Sequence, residues 1–330
     1  MLGSELGRFS GARCLVTGGL GFIGSNVALA LHRSGAAVTV VDALVPRHGG
    51  NLRNLAGEPI HVVVADIADL TAVAEVAASA QFVFNLAGQI SHIDSMEDPV
   101  ADVDLNARSH LAFLELLRRV NPEVPTVYAS TRQVYGRPRY LPVDEDHPIS
   151  PADVNGISKF AAEQFHLLYA QTYGMRTCAL RITNVYGPRQ RLLGDHQSFL
   201  AVFLRTALEN QPIHVYGDGS QERDILHVDD VVDAFLLAAL TPEAWGEVFN
   251  LSNEEALTVR EAAETIVGTA GSGSVEFTPW PPERARIDIG SYRGDASKAK
   301  RVLGWTPRIP FRDGIRDTVD YYKARLGWYV

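Results

Sequence analysis

The sequence predicts an α/β protein with a doubly wound parallel sheet and a smaller, interleaved C-terminal α/β domain. Short apolar runs rich in β-branched residues recur along the chain, and helical patterns separate them, which is typical of strands buried on both faces of a parallel sheet. After Asn184 the pattern changes, because long connections carrying proline and glycine appear. The predicted strands are residues 13–17, 38–42, 61–65, 82–86, 126–130 and 177–182.

The stretch from Thr17 to Gly24 is the most informative part of the chain. A strand-like run precedes it, a helical pattern follows it, and four glycines lie within it. Glycines let backbone N–H groups approach an anion closely, and a helix N-terminus favours negative charge. The pattern therefore predicts a Rossmann-type site for the phosphates of a dinucleotide. The predicted contacts are Gly18, Gly21, Phe22, Ile23 and Gly24.

Asp42 ends the second predicted strand and indicates which dinucleotide is bound. A carboxylate at this place accepts hydrogen bonds from the ribose hydroxyls of an adenosine and repels a 2′-phosphate. NAD is therefore predicted rather than NADP, with a plain strand-end turn as the alternative interpretation of Asp42. Ligands of such sheets lie at the carboxyl ends of the strands. Further cofactor contacts are predicted there at Asp66, Ile67, Leu86, Ala87 and Gly88.

The charge and the cysteine content of the chain exclude several classes of binding partner. The 330 residues carry a formal net charge of −9 with a pI near 5.6, so no basic stripe is available for nucleic acid or an anionic membrane. The two cysteines lie in apolar runs, which argues against a disulfide framework and a zinc site, and no metal is predicted. The first residues lack a signal-peptide core, and no apolar run approaches ~18 residues. A cytoplasmic protein is expected.

The change after Asn184 divides the chain into two interleaved domains. The later segment holds the long connections and is expected to cap the substrate. The stretch from Asp224 to Leu240 is expected to return a strand and a helix to the first domain. The dinucleotide-binding domain is predicted over residues 1–182 and 223–250, and the substrate-binding domain over 183–222 and 251–330.

Several motifs in order resemble the extended short-chain dehydrogenase/reductase superfamily, and within it the NAD-dependent nucleotide-sugar epimerases and dehydratases. The resemblance covers nearly the whole chain. It implies bound NAD, a nucleotide-diphosphate sugar as substrate, and a homodimer formed through predicted helices near 104–120 and 156–173. The motifs are residues 17–24, 85–89, 129–136, 181–188 and 217–224.

The resemblance implies a catalytic Ser/Thr, Tyr and Lys, and one of the three is missing. Thr131 and Lys159 match the hydroxyl and the lysine, but Asn155 occupies the tyrosine position. An amide cannot take up a proton at neutral pH, so Asn155 orients a hydroxyl and is not the general base. His92 and Asp94, after the fourth predicted strand, are the candidate bases, and a loop or helix-capping histidine is the alternative interpretation of His92. Otherwise the protein performs a slower or different step, or binds a nucleotide sugar without turnover.

Two further positions narrow the reaction. The 4,6-dehydratases of this superfamily carry Asp-Glu directly after the threonine, where this chain has Arg132 and Gln133. Neither side chain does acid–base work of that kind, so water elimination by that route is disfavoured. An epimerase is predicted, similar to the UDP-glucose 4-epimerases, which removes a hydride from a ring carbon and returns it to the other face. A C2 epimerase, a net dehydrogenase and a non-catalytic binding protein stay open.

Substrate contacts follow from the same resemblance. Asn184 and Arg223 match positions that meet the diphosphate, and an arginine offers phosphate oxygens a bidentate fork. Tyr216 either stacks on the nucleotide base or packs in a core. The segments 187–190 and 195–197 resemble the C2 epimerases. The full predicted substrate set is Ser130, Thr131, Asn184, Arg189, Tyr216, Arg223 and Arg286.

Overall fold

The computed structural model describes residues 5–46, 48, 50–194, 198–281 and 289–330. Within these ranges the strands form one large sheet and three two-stranded sheets. The strands are β1 (Arg13–Thr17), β2 (Ala37–Asp42), β3 (His61–Val64), β4 (Phe82–Asn85), β5 (Thr126–Thr131), β6 (Thr177–Ile182), β7 (Asn184–Tyr186), β8 (Pro212–Tyr216), β9 (Glu222–Arg223), β10 (Ile225–His227), β11 (Val248–Leu251), β12 (Leu257–Thr258) and β13 (Ser274–Thr278).

The large sheet is entirely parallel and has the strand order β11–β6–β5–β4–β1–β2–β3. Helices pack on both of its faces, so the doubly wound fold class predicted from the sequence is confirmed. The helices are α1 (Phe22–Arg33), α2 (Leu70–Ser79), α3 (His92–Glu97), α4 (Pro99–Val103), α5 (Ser109–Val120), α6 (Val154–Tyr173), α7 (Phe199–Leu208), α8 (Val228–Leu240), α9 (Val259–Ala270), α10 (Ser297–Leu303) and α11 (Phe311–Lys323).

Neighbouring residues of β1 pack on opposite faces of the sheet, as the two-residue period of a strand requires. Val16 belongs to the core that contains α1 and α8, whereas Leu15 belongs to the core that contains α2 and α5. Both side chains are fully buried, and each such burial contributes about 1.5–3 kcal/mol. The near-continuous apolar runs of the sequence therefore reflect a sheet that is covered on both sides.

A second, smaller core lies among α7, α9, α11 and the parallel pair β8–β13. Each helix contributes a fully buried aliphatic side chain to it, namely Leu204, Ile266 and Ile315. Helix α11 is polar on its other face, so one apolar stripe is enough to fix it on this core. The smaller C-terminal α/β region predicted from the sequence is present.

Three details differ from the predicted arrangement. The strand after Asp224 is β10, which pairs with β7, and the strand that completes the large sheet is β11. The predicted helix over 104–120 opens with a π-helical turn, Asp104–Arg108. Trp305, in the predicted second domain, packs in the core of the large sheet. Its indole N–H donates to the carbonyl oxygen of Asp230 at 2.7 Å.

None of the described helices is long and apolar enough to cross a membrane. The described residues include no group of three or more His, Cys, Asp or Glu side chains arranged to hold a metal ion. Cys14 and Cys178 are buried as free thiols.

The strand order reverses beside β1, since β2 lies on one side of it and β4 on the other. Such a reversal leaves a crevice at the carboxyl ends of the two strands. The turn after β1 carries Gly18 and the turn after β4 carries Gly88, and both residues line a cavity at this place. The fold therefore brings the two predicted glycine turns together.

Candidate active site

A cavity of about 440 Å³ lies at the carboxyl ends of the central strands, within the size range typical of small-molecule sites. It collects residues from the turns after several strands and from the first turns of α6. The cavity is lined by Gly18, Gly21, Phe22, Ile23, Gly24, Asp42, Asp66, Ile67, Leu86, Ala87, Gly88, His92, Ser130, Thr131, Asn155, Lys159, Asn184 and Arg223, all predicted site residues.

The turn between β1 and α1 needs glycine at two positions for different reasons. Gly18 has a φ of +65°, and a Cβ on it would lie 2.6 Å from the carbonyl oxygen of Leu86. A Cβ on Gly24 would lie 2.2 Å from the carbonyl oxygen of Gly18, so α1 can approach the turn only without a side chain there. Gly21 precedes the first residue of α1. This close packing fits a pyrophosphate, because it brings backbone N–H groups and a helix N-terminus to one place.

Two backbone donors fix the carboxylate of Asp42 at the end of β2. Its Oδ2 accepts the N–H of Leu20 at 3.0 Å and its Oδ1 accepts the N–H of Leu44 at 2.8 Å. Burial raises the pKa of Asp42, and these hydrogen bonds oppose the rise. Each oxygen keeps a lone pair for a ribose hydroxyl, so the site fits an adenosine diol. Asp66 is oriented in a similar way, since its Oδ1 accepts the N–H of Ala68 at 2.8 Å.

Lys159 lies on α6 with 5 % of its surface exposed. Among the residues that the structure describes, its Nζ has no hydrogen-bond partner, and it lies 5.7 Å from the centroid of the Tyr128 ring. Burial lowers the pKa of Lys159 to about 8, and the charge of Asp102 opposes this. A Cβ on Gly88 would lie 2.9 Å from Nζ, so the glycine leaves this side of the ammonium open. A ribose diol fits as the missing acceptor.

Asn155, which the resemblance matches to the family's tyrosine, is 1 % exposed. Its Nδ2 donates both of its hydrogens within the protein, to the carbonyl oxygen of Gln89 at 3.0 Å and to Oδ2 of Asp102 at 3.0 Å. No N–H group is left for a sugar hydroxyl, and an amide takes up no proton at neutral pH. These contacts make Asn155 a structural part of the cavity wall.

Asp102, on α4, is the centre of that wall. Besides Asn155, the amide of Asn106 donates to its Oδ2 at 3.0 Å, and the amide of Gln89 donates to the same oxygen. Its Oδ1 is buried without a hydrogen-bond partner among the described residues. Asn106 lies in the π-helical turn, and such turns occur frequently at functional sites.

His92 begins α3 and is hydrogen-bonded through Nδ1 to Oδ2 of Asp153, the N-cap residue of α6. Oδ1 of Asp153 accepts the N–H of Gly156 at 2.8 Å. Burial raises the pKa of Asp153, but the hydrogen bond and charge of His92, together with the Gly156 N–H, outweigh it and hold the pKa below its usual value. Because Nδ1 is held in this way, Nε2 is the ring nitrogen that can take a proton from a ligand.

Asp94 is the second candidate base that the sequence offers besides His92. Its carboxylate lies 4.0 Å from Nδ1 of His48, whereas the residue that contacts His92 is Asp153. The two partners are 61 positions apart, so no local pattern joins them. The available signal was that Asp153 stands directly before a helical pattern, where an N-cap residue is expected.

Thr131 and Ser130 end β5, and their hydroxyls differ in what they contact. Oγ1 of Thr131 accepts the N–H of Gln133 at 3.2 Å, so its own proton is available for a ligand. Ser130 is buried and donates to Oε2 of Glu163 at 2.6 Å. Glu163 is also paired with Arg181 at 2.6 Å. Ser130 is therefore held by Glu163 in the cavity wall, while the Thr131 hydroxyl is a hydrogen-bond donor for a ligand in the cavity.

Two arginines line the cavity near Thr131. The guanidinium of Arg132 lies 5.0 Å from the centroid of the Tyr292 ring. Burial lowers the pKa of Arg132, and the charge of Arg223 adds to this. Arg223 donates to the carbonyl oxygen of Gly290 at 2.6 Å. This part of the wall is positively charged although the chain as a whole is acidic.

Two predicted substrate residues are absent from the described lining of the cavity. Arg189 donates to Oδ1 of Asn26 at 2.9 Å, and its guanidinium lies 5.5 Å from the centroid of the Tyr321 ring. Tyr216 packs against Trp280. Both side chains are therefore used in packing. The positions outside the described residues are Asp195, His196, Gln197, Arg284 and Arg286.

Comparison with known proteins places the chain among enzymes of one family. Residues 15–318 match the family model described as GDP-mannose 4,6 dehydratase. A putative UDP-glucose 4-epimerase from Methanocaldococcus jannaschii is 34 % identical over 314 residues, covering 94 % of this chain and 98 % of that protein. The structure of the UDP-glucose 4-epimerase from Thermotoga maritima with UDP-glucose has a TM-score of 0.87 and 31 % identity, covering 95 % of this chain and 99 % of that chain. The dTDP-glucose 4,6-dehydratase from Streptomyces venezuelae, with NAD and TYD bound, has a TM-score of 0.86 and 27 % identity, covering 96 % and 98 %.

These comparisons confirm the resemblance, and with it NAD as the cofactor predicted from the glycine turn and Asp42. The similar proteins include both epimerases and dehydratases, so they support a reaction of this general type. The chain belongs to the GDP-mannose 4,6 dehydratase family, a group of NAD-dependent nucleotide-sugar epimerases and dehydratases within the extended short-chain dehydrogenase/reductase superfamily.

Proposed function

We propose that this protein is an NAD-dependent nucleotide-sugar epimerase that acts by transient oxidation of a ring hydroxyl. The observation that carries the proposal is one cavity that contains the dinucleotide turn at Gly18, the carboxylate of Asp42, the hydroxyl of Thr131 and a histidine paired with a carboxylate, His92 with Asp153. Relatives named as UDP-glucose 4-epimerases support it.

The residues around the cavity fit NAD. Gly18 and Gly24 leave room for the pyrophosphate, Asp42 offers its carboxylate to the adenosine ribose, and Lys159 offers its ammonium group to the nicotinamide ribose. When bound, NAD accepts the hydride and later returns it. The positive charge of Lys159 also favours the loss of a proton from a nearby hydroxyl.

His92 is the proposed general base. Asp153 holds Nδ1 of the ring, so Nε2 takes the proton of the sugar hydroxyl and gives it back when the hydroxyl forms again. An imidazole can accept and donate a proton at neutral pH. Thr131 donates its own proton to the reacting oxygen, because its Oγ1 already accepts the N–H of Gln133.

The residues after Thr131 favour epimerisation over elimination of water. Elimination needs proton-transfer groups at two sugar carbons, and the positions that carry Asp-Glu in the dehydratases hold Arg132 and Gln133 here. Neither side chain transfers a proton at neutral pH. The reversible oxidation of one hydroxyl needs a single proton-transfer group beside the hydride acceptor NAD, and the pair of His92 and Asp153 would supply that group.

The test incubates the full-length protein with a panel of UDP-, dTDP-, CDP- and GDP-sugars in D₂O and follows the sugars by NMR. We expect inversion at one ring carbon without net consumption of NAD. His92→Gln should lower turnover about 10²–10⁴-fold, the usual contribution of a general base, while NAD content stays unchanged. Thr131→Ala should also lower turnover, because the reacting oxygen loses its donor.

His214→Gln is the matched control, since His214 lies exposed on β8 and pairs with Glu276. This variant should turn over like the wild type. Undiminished turnover in His92→Gln would contradict the assigned base. Accumulating NADH would indicate a net dehydrogenase, and tight binding without any changed sugar would indicate a non-catalytic binding protein.

A further inference from the structure

Arg132 is a cavity arginine without a partner. It directly follows Thr131, and its guanidinium lies over the Tyr292 ring. Within the residues that the structure describes, its five N–H donors make no hydrogen bond and no ion pair. Arg223, which lines the same cavity, donates instead to the carbonyl oxygens of Glu222 and Gly290 at 3.0 and 2.6 Å.

The acidic groups near Arg132 are engaged elsewhere. Oδ1 of Asp224 accepts the N–H of Asn253 at 2.8 Å, and its Oδ2 accepts the hydroxyl of Ser252. Burial raises the pKa of Asp224 to about 6, and the N–H of Gly294 also donates to its Oδ2 at 3.3 Å. Asp153 is held by the proposed base and by the first turn of α6. The positive charge of Arg132 is therefore not neutralised by a direct contact in the described wall, and a half-buried cation of this kind favours an anionic ligand.

Arg132 lies between the two ends of the proposed sugar site. It directly follows Thr131, whose hydroxyl is assigned to the reacting oxygen, and its guanidinium feels the charges of both Asp153, which holds the proposed base, and Arg223, which is assigned to the diphosphate. The sugar ring joins these two places, so its substituents are the groups that Arg132 can meet. Stacking on Tyr292 fixes the plane of the guanidinium. A planar guanidinium offers two parallel N–H groups, which match the two oxygens of a carboxylate.

We propose that Arg132 binds the carboxylate of a nucleotide-linked hexuronic acid, so that the preferred substrate is an acidic sugar and not a neutral hexose. The inference rests on the proposed function, because it takes the reacting sugar to lie against Thr131. A neutral hydroxymethyl group at the same place would displace water from the guanidinium without supplying a counter-charge. The site therefore selects for the acid and also against the neutral sugar.

The test measures dissociation constants by isothermal titration calorimetry with the NAD-loaded, full-length protein. The ligands are UDP-glucuronic acid and UDP-glucose, with the corresponding dTDP pair as a second base. The wild type should bind the uronic acid at least about 10-fold more tightly than the hexose, since a hydrogen-bonded charge pair of this kind contributes about 10- to 100-fold. Arg132→Met should remove this preference and change hexose affinity by less than about threefold.

Arg132→Lys should restore part of the preference, because it keeps the charge but not the planar fork. Arg176→Met is the control for a lost arginine, since Arg176 lies at the surface and pairs with Glu123. Arg223→Met should weaken both ligands of a pair to a similar extent. Thermal unfolding of each variant verifies that it is folded. We expect the Arg132 variants to fold, because the Arg132 guanidinium makes no hydrogen bond with the described residues.

Equal affinity of the wild type for acid and hexose, or equal weakening of both in Arg132→Met, would overturn the assignment to Arg132. No binding of any of the four ligands would overturn the nucleotide-sugar proposal, and this inference with it. A preference for the uronic acid without inversion of any ring carbon would overturn the epimerase proposal and leave the carboxylate site standing.

Discussion

At the level of single residues, we expect the protonation state of Lys159 to control the affinity of the site for NAD. Its pKa falls to about 8 because it is buried, so the ammonium form is present below this pH and is lost above it. The ribose contact proposed for Lys159 is stronger with the ammonium form, because a charged donor makes the stronger hydrogen bond. We therefore expect NAD affinity to fall as the pH rises from about 7 to about 9.5, across the range in which a lysine with a lowered pKa loses its charge.

This prediction is tested by titrating NAD-stripped protein at several pH values. Lys159→Met should bind NAD more weakly throughout and lose the pH dependence. Lys323→Met, at the last turn of α11, serves as the control and should behave like the wild type. An NAD affinity that does not change across this range would contradict the role given to the Lys159 ammonium.

Helix α1 depends on one glycine, which is a property of the element as a whole. The Cβ introduced by Gly24→Ala would lie 2.2 Å from the carbonyl oxygen of Gly18, so the helix must move away from the turn. We expect a loss of about 1–3 kcal/mol in the free energy of unfolding and loss of bound NAD. Urea unfolding and the NAD content of the purified protein measure these effects.

Gly268 provides the matched control, because it lies inside α9 and a Cβ on it would meet nothing within 4 Å. Gly268→Ala should stabilise the protein by about 0.5–1 kcal/mol, since alanine has the higher helix propensity. A Gly24→Ala variant that is stable and retains NAD would show that α1 does not need its close approach to the turn.

A buried ion pair joins β5, β6 and α6 beneath the cavity. Arg181 and Glu163 are 4 % and 0 % exposed, and two guanidinium nitrogens of Arg181 donate to the Glu163 carboxylate. Arg181→Met leaves that carboxylate buried and unpaired, so we expect a cost of about 3–5 kcal/mol in the free energy of unfolding. Arg176→Met breaks the exposed pair with Glu123 and should cost no more than about 1 kcal/mol. Similar effects of the two substitutions in urea unfolding would contradict this account.

The strands show which elements a sequence can predict. Residues 13–17 and 177–182 are found with the predicted bounds because each is a local apolar run with clear ends. Val248–Leu251 was not predicted as a separate strand, since it acquires its place by pairing with β6 far earlier in the chain.

The candidate site also contains some features that the sequence predicts and others that it does not. The glycine turn and Asp42 could be predicted because their chemistry lies within one βα unit and the strand that follows it. The pairing of His92 with Asp153, and the hydrogen bonds of Asn155 to Gln89 and Asp102, depend on contacts between distant segments. Local patterns carry no information on such contacts.

Exposed apolar side chains predict that the whole molecule is a homodimer. Val100 on α4 and Ile157 and Leu168 on α6 are 71 %, 56 % and 51 % exposed, and the two helices pack against each other. Most soluble oligomers are symmetric, so the same surface of a second copy is the expected partner. Sedimentation equilibrium at micromolar concentration should give the mass of a dimer.

Ile157→Asp should shift this equilibrium towards the monomer, because it places a charge in the centre of the apolar surface. Leu52→Asp is the control, since Leu52 is exposed to a similar degree but lies in a turn that packs on α1, against the other face of the sheet. A wild-type protein that sediments only as a monomer would contradict the homodimer.

The contacts of Asn155 also bear on how this chain can change in evolution. A tyrosine at this position would withdraw one donor from Asp102 and another from the carbonyl oxygen of Gln89, in a space closed to solvent. A tyrosine introduced here therefore weakens the cavity wall unless the groups around Asp102 change with it, so we expect this position to tolerate substitution only together with its neighbours.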